Sequence, residues 1–399
     1  MRRRKFIRQT VTAATGMLAS VASHAAVGRT ATPKSRHKWV LLYWMPYDND
    51  LFIYGPPIID MLRSGTENSD VVVILQADFF GSQRMRRYLI RRGDVQVISQ
   101  HHEDSSDRNN ISSYLRWAYD NFEADHWIVS VVGHGGRINE ISPDDHGSTL
   151  VSDRTWMEVD QFAAEIENFN KITNHRVDLL FFQNCNKATL EVIYETRNCA
   201  RYTLASQRTL GAPNYYYGDL IKYLDQNSES NGYDVATAIM DSERLSMYHT
   251  MTLVDNRFVH SIPEKLAPLV EAIANTPQSR RKAVKLPTYR YFEERHCDAL
   301  AFLQSFDQSD HNVAKQFKSF SNFLRTKIVS HYRTGGTIYG WHIAILSPPE
   351  RFCGLSVYLP ETIQSIDRYG SMALNRQVGL SRLYEIFLEG VETRQSGHI

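Results

Sequence analysis

Two apolar runs end in residues that can do chemistry. HWIVSVV, at residues 126–132, runs into Gly133-His134-Gly135-Gly136, and VDLLFF, at residues 177–182, runs into Gln183-Asn184-Cys185. In an open parallel sheet, ligands bind beyond the carboxyl ends of the strands, so neighbouring strands would bring His134 and Cys185 to one edge. A thiolate attacks carbonyl carbons. At a helix N-terminus beside an imidazole, a thiol is acidified by the helix dipole and the nearby cation. Cys185 is then the candidate nucleophile, and His134 the group that protonates a leaving amine. The backbone N–H groups of Gly135 and Cys185 are candidates for holding the tetrahedral oxyanion, with Gly135 allowing close approach to the main chain. Taken singly, a cysteine after a strand reads as a small buried hydrophobe and a histidine in a glycine turn as a loop residue. Their joint placement favours chemistry. A serine hydrolase is the weaker competitor, because His134-Gly135-Gly136 suits an oxyanion loop but no Gly-x-Ser-x-Gly elbow occurs. His101-His102-Glu103 lacks the second histidine that a helical zinc motif needs.

The elements that must position this pair are legible as nearly continuous apolar runs at residues 38–45, 70–76, 126–132 and 177–182, which suit strands buried on both faces. Amphipathic stretches at 111–122, 156–169 and 188–197 read as intervening helices, the last departing from Cys185. Alternation of this kind predicts an α/β fold, a mostly parallel sheet flanked by helices. Residues 88–91 and 95–99, joined by Arg92-Gly93-Asp94, read as an inserted β-hairpin. Beyond about residue 228 the pattern becomes mainly helical (234–248, 263–275, 297–306, 313–329). Late strands follow at 335–346 and 354–358 as candidates to rejoin the sheet, then a last helix near 380–388. The expected organisation is an export signal over 1–26, an α/β core over 37–227 and a mainly helical C-terminal region over 228–399.

The chain has 399 residues, 42% of them hydrophobic, with 45 basic and 44 acidic side chains and a formal charge of +1. These proportions exclude low-complexity disorder and collagen-like sequence. Near-neutral charge supplies no general field for nucleic acid, and no basic patch stands out. Arg2, Arg3 and Arg4 precede a mildly apolar stretch and then Ala22-Ser23-His24-Ala25-Ala26, the order of an export signal. Arg3-Arg4-Lys5-Phe6-Ile7-Arg8 resembles the twin-arginine type. The stretch falls short of the about 20 strongly apolar residues a membrane anchor needs, so the mature protein is expected in the periplasm or outside the cell, with no stable anchor. Cys185, Cys199, Cys297 and Cys353 are too scattered for a disulfide scaffold or paired zinc ligands. Cys297 with Cys353 is a candidate pair in an oxidising compartment.

The spacing of His134 and Cys185, about 50 residues, matches the caspase gap, and the chain resembles the clostripain family of cysteine peptidases, relatives of caspases, gingipains and legumain. The likeness extends from the strand opening at Lys38-Trp39-Val40 and the acidic turn Asp48-Asn49-Asp50-Leu51 to Leu204-Ala205-Ser206-Gln207 and Gly354-Leu355-Ser356-Val357-Tyr358-Leu359-Pro360. It implies a caspase-like fold, a Cys185–His134 dyad without a third member, and a peptide or protein substrate. The family pattern has an acid two residues before the nucleophile, for arginine or lysine at P1; here Gln183 stands there. An amide cannot hold a desolvated cation, so a neutral or acidic P1 residue is expected, with Gln183 and Arg208 lining the pocket and Tyr215 and Tyr216, in Tyr215-Tyr216-Tyr217, forming an aromatic wall. Arg208 as a solvated charge, and the tyrosines as core, are the competing readings. No cofactor is required by the dyad. Relatives that use calcium make Asp144, Asp145 and Asp153 candidate ligands, although no EF-hand-type loop is evident. Self-cleavage between Gly136 and Trp156, at Asp144, Asp145, Asp153, Arg137 or Arg154, is a further implication. The alternative function is a binding or scaffold protein with a degenerate site.

Overall fold

The computed structural model describes residues 34–244, 246–247, 249–277, 286–335 and 352–396, and Lys34–Ile399 form one compact unit. The expected export signal lies outside the described residues. Strands in chain order are β1 (Ser35–Tyr47), β2 (Val72–Phe79), β3 (Arg84–Arg91), β4 (Asp94–His102), β5 (Phe122–Val132), β6 (Glu140–Asp144) and β7 (Thr155–Glu158). They continue as β8 (Val177–Gln183), β9 (Tyr202–Ser206), β10 (His249–Asp255), β11 (Thr288–Tyr291), β12 (Glu294–Asp298), β13 (Val329–Gly335) and β14 (Ser356–Tyr358).

Nine strands form the central sheet in the order β13-β10-β9-β8-β5-β1-β2-β3-β4. The five from β9 through β2 run parallel; β10 and β13 at one edge and β3 at the other add antiparallel pairs. Successive side chains of β1 enter opposite cores: Val40, Leu42 and Trp44 one, Trp39, Leu41, Tyr43 and Met45 the other. This is the two-residue period of a strand covered on both faces. The first core includes Ile111 and Tyr114 of the helix Arg108–Asn121, Phe162 and Ile166 of Val159–Ile172, and Leu266 of Ile262–Ala274. The second takes Ile58 and Leu62 of Gly55–Gly65, Leu220 of Tyr217–Gln226 and Ile239 of Gly232–Ser242. Helix starts carry local caps. Asp107 accepts the Asn109 N–H, and Asn231 and Asp234 form a reciprocal capping box. The expected α/β architecture, a mostly parallel sheet flanked by helices, is the one observed.

The hairpin β3–β4 turns through Arg92 and Gly93, both at positive φ (51° and 74°), and Asp94 already pairs with Arg91. That is a two-residue turn whose twist matches the strands it joins. Other expectations shift. The helix expected over 234–248 ends at Ser242, and His249–Asp255 is a buried sheet strand. The helix expected from Cys297 begins at Ala299, Cys297 itself lying in β12. The strand expected over 354–358 joins β11 and β12 in a separate three-stranded sheet, order β11-β12-β14. The strand expected over 335–346 lies almost wholly outside the described residues, and β13, ending at Gly335, joins the central sheet instead.

Candidate active site

β5 and β8 are parallel neighbours with Val132 opposite Gln183, so the segments bearing His134 and Cys185 leave the same sheet edge from adjacent strands. The side chain of Asn184 ties them together, donating to the carbonyls of Gly133 (2.9 Å) and His134 (3.1 Å). Gly135 backs directly onto the nucleophile segment: a Cβ there would stand 2.0 Å from the Cys185 carbonyl oxygen. Only glycine allows that approach.

His134 Nε2 lies 2.8 Å from Asp50 Oδ1, and this contact holds the Asp50 carboxyl below its usual range. Asp50 opens a short helical turn capped by Asn49, whose side chain accepts the Leu51 N–H and donates to the Pro46 carbonyl. The acidic turn after β1 thus delivers a carboxylate to the imidazole.

The thiol is partly buried. Leu210 N–H points at Cys185 Sγ from 3.3 Å, the Tyr291 hydroxyl lies beside it, and burial pushes the thiol above its ordinary pKa. The expected acidification by a helix N-terminus does not occur. The helix begins at Leu190, capped by Thr189, and the intervening turn places Asn186 at φ 57°. The expected oxyanion donor Gly135 N–H is taken by the Tyr291 hydroxyl at 3.2 Å.

Lys187, two residues past the cysteine, is fully buried. Its Nζ donates to the carbonyls of Arg137 (2.8 Å) and Glu140 (2.5 Å), clamping the chain that follows His134. Desolvation draws its pKa down to about 7.

Gln183 is buried, its Nε2 donating to Asn214 Oδ1 and to the Tyr217 hydroxyl (both 2.6 Å) and its Oε1 accepting from the Tyr216 hydroxyl (2.8 Å). Asn214 in turn donates to Glu243 at 3.0 Å. Tyr216 is buried and stacks on Tyr217, whereas Tyr215 is half-exposed beneath the Arg244 guanidinium. Arg208 is no solvated charge: 8% exposed, it lies over the rings of Tyr289 (5.0 Å) and Phe352 (4.7 Å). Cys297 and Cys353, the candidate disulfide, are both free thiols. Each is buried as an apolar group, and the Cys353 thiol donates to the Leu355 carbonyl at 3.2 Å.

Beside the Asp50 turn, four carboxylates from separate segments converge: Asp48 after β1, Asp78 in β2, Glu103 after β4 and Asp144 at the end of β6. Asp48 Oδ1, both oxygens of Asp78 and Glu103 Oε1 are buried without a hydrogen-bond partner. Burial and the Asp144 charge push the Asp78 carboxyl up to about 9 and the Glu103 carboxyl up to about 7. Ligating atoms of Glu103, Asp144 and His146 lie within 4.8 Å of one another. Orphaned oxygens gathered in this way fit a hard cation such as calcium. Asp145 and Asp153 do not belong to the group. Arg154 grips Asp145 bidentately at 2.5 and 2.9 Å, and Asp153 accepts from Ser148 and Ser152.

Sequence reasoning missed Lys187, Tyr291 and Asp78. A lysine two places after a candidate nucleophile was a usable signal; nothing in the local sequence marks Tyr291.

The clostripain family model matches residues 43–376. Similar solved structures include an inactive zymogen C11 protease from Parabacteroides distasonis, with TM-score 0.64 and 17% identity, covering 87% of this chain and 99% of that one. A secreted C11 cysteine protease from Bacteroides thetaiotaomicron, in complex with an irreversible peptide inhibitor, gives TM-score 0.62 and 14% identity over 86% of this chain and 99% of that one. A comparison with curated proteins gives no match. At such identities the structures speak to fold, whereas the family match spans most of the sequence: the chain belongs to the clostripain family of cysteine peptidases.

Proposed function

We propose that the chain is an exported endopeptidase in which Cys185 and His134 form the catalytic dyad. The observation that carries this reading is the β5–β8 register, which sends both residues off one edge with Gly135 packed on the Cys185 backbone. In the reaction, the Cys185 thiol gives its proton to His134 as the sulfur bonds to the scissile carbonyl carbon and the C=O electron pair moves onto oxygen. The Gly135 and Cys185 N–H groups receive that charge. Collapse breaks the C–N bond, His134 gives its proton to the departing amine, and water then hydrolyses the thioester with His134 as base. Turnover of a peptide library by the full chain, lost in Cys185→Ala, tests the assignment.

The preference at P1 is for a neutral or acidic residue. Gln183 carries no charge, and the nearby Glu243 carboxylate is engaged by Asn214, the Tyr215 N–H and the Arg244 N–H. A fluorogenic panel varying only P1 decides it, and clear arginine or lysine preference would remove the idea. Within residues 136–156, an acidic P1 directs self-cleavage to the exposed Asp153 rather than the buried Asp144 and Asp145, and a basic P1 would direct it to the exposed Arg137. Intact masses of wild type and Cys185→Ala check this; identical chains would count against it. Residues 1–26 serve as the export signal, to be read by N-terminal sequencing of the mature protein. The partly buried, neutral thiol favours a second reading, a binding protein that keeps the fold, and labelling of Cys185 by a peptidyl acyloxymethyl ketone separates the two.

A further inference from the structure

The short hairpin β11–β12 reaches from the later half of the chain onto the segment that carries His134 and packs on Cys185. Its tip is a two-residue turn: Tyr291 pairs with Glu294, and Phe292 and Glu293 between them sit at φ 46° and 64°. Turns of this kind ordinarily place glycine or asparagine there, and neither residue is one. The two-residue turn itself calls for positive φ at both positions, and the tip it makes packs against the site. The Phe292 ring meets Trp156 edge-on at 5.4 Å and faces His134 at 6.3 Å. Glu293 lies 3.8 Å from Arg137. Glu294 accepts the Ile138 N–H at 2.9 Å. These partners are the dyad histidine, Arg137 and Ile138 just after it, and Trp156 of β7.

At the centre stands the Tyr291 hydroxyl, which accepts the Gly135 N–H at 3.2 Å and lies beside the Cys185 side chain. One oxygen therefore takes the backbone donor and stands next to the sulfur. A scissile carbonyl oxygen would need the same donor, and its carbon the same approach to sulfur. A peptide and the Tyr291 side chain cannot occupy this space together.

We propose that the tip of the β11–β12 hairpin is a built-in inhibitor of the Cys185 site, with the Tyr291 hydroxyl held where a substrate carbonyl oxygen would bind, so that the hairpin must withdraw before a peptide enters. This rests on the reading of Cys185 as the nucleophile, and the test separates the two. The full chain, wild type and Tyr291→Ala, is treated with iodoacetamide, and alkylation of each cysteine is followed by peptide mass spectrometry. Loss of the cover should speed Cys185 alkylation on the order of 10-fold, while the buried Cys199, Cys297 and Cys353 stay slow. A control, Tyr233→Ala on a remote helix, should change nothing. Equal Cys185 rates in wild type and Tyr291→Ala would overturn the inhibitor. Should all four cysteines of Tyr291→Ala react, the variant has unfolded and Tyr291→Phe decides: it removes only the hydroxyl, and faster Cys185 alkylation supports the proposal while a wild-type rate overturns it. Peptidyl acyloxymethyl ketone is used in parallel. Faster alkylation with no ketone labelling in any form supports the cover and removes the nucleophile; faster reaction with both supports the two together.

Discussion

Asp50 Oδ1 stands 2.8 Å from His134 Nε2, so the imidazole of this family member has a carboxylate partner although a two-residue dyad is expected. The partner comes from the turn after β1, and its side chain is 75% exposed. Water therefore screens the pair, and its effect on the histidine is mainly orientational. Asp50→Asn is expected to lower kcat/KM by about 3- to 10-fold, mostly in kcat, because ring orientation matters to proton transfer more than to peptide binding. Steady-state kinetics on the best peptide of a P1 panel measures it.

The convergence of Asp48, Asp78, Glu103 and Asp144 gives a prediction that does not involve catalysis. Thermal unfolding of chelator-treated Cys185→Ala should show a midpoint about 5 °C higher or more in millimolar calcium. Asp78→Asn should abolish the shift and Asp153→Asn should keep it, since Asp153 is bound to serines instead. Equal midpoints with and without calcium would remove the site, as would an undiminished shift in Asp78→Asn.

Replacing Gln183 with the acid of the usual family pattern should not restore basic specificity. The side chain is enclosed by Asn214, Tyr216 and Tyr217, and a carboxylate there would be buried without a cation. Gln183→Asp is expected to cost about 3 kcal/mol, read as a lowered denaturation midpoint, with no gain in arginine or lysine turnover on the P1 panel.

Glu191 is fully buried in the first turn of the helix after Cys185. Its Oε1 accepts the Tyr358 N–H at 3.1 Å, and Oε2 is buried without a partner. Desolvation raises its pKa from 4.5 to about 7. The folded chain thus keeps a proton that the unfolded chain releases between those values. Stability from this group is present below pH 4.5, falls as pH rises through the window, and is gone above pH 7. Glu191→Gln removes the titration, so denaturation of wild type relative to Glu191→Gln should worsen by roughly 3 kcal/mol from pH 4 to pH 8. A constant difference across that range would contradict the assignment.

What could be read from the sequence follows from what local pattern encodes. β1, β2, β5 and β8 are covered on both faces, so their runs are apolar throughout and their ends conspicuous; His134 and Cys185 were visible as the first chemically capable residues beyond two such ends. β10 was hidden because Thr250 and Thr252 interrupt its apolar residues. Their hydroxyls are satisfied inside the fold, Thr250 by Ser206 at 3.1 Å and Thr252 by the Gly354 carbonyl at 2.5 Å. The helix expected to leave directly from Cys185 was misplaced because the left-handed Asn186 and the Thr189 cap delay its start. Tyr291 meets Gly135 from 156 positions away, and Asp78 feels the charge of Asp144 from 66 positions away. No periodicity or motif carries such encounters; they arise only when the chain is folded.

The left-handed Phe292 and Glu293 put a local cost into the tip of the hairpin. Each costs of order 1 kcal/mol in that conformation. The hairpin's stability can therefore be tuned at one position: glycine at 293 would relieve that cost, raising the ratio of formed to unformed hairpin roughly fivefold for each kcal/mol relieved.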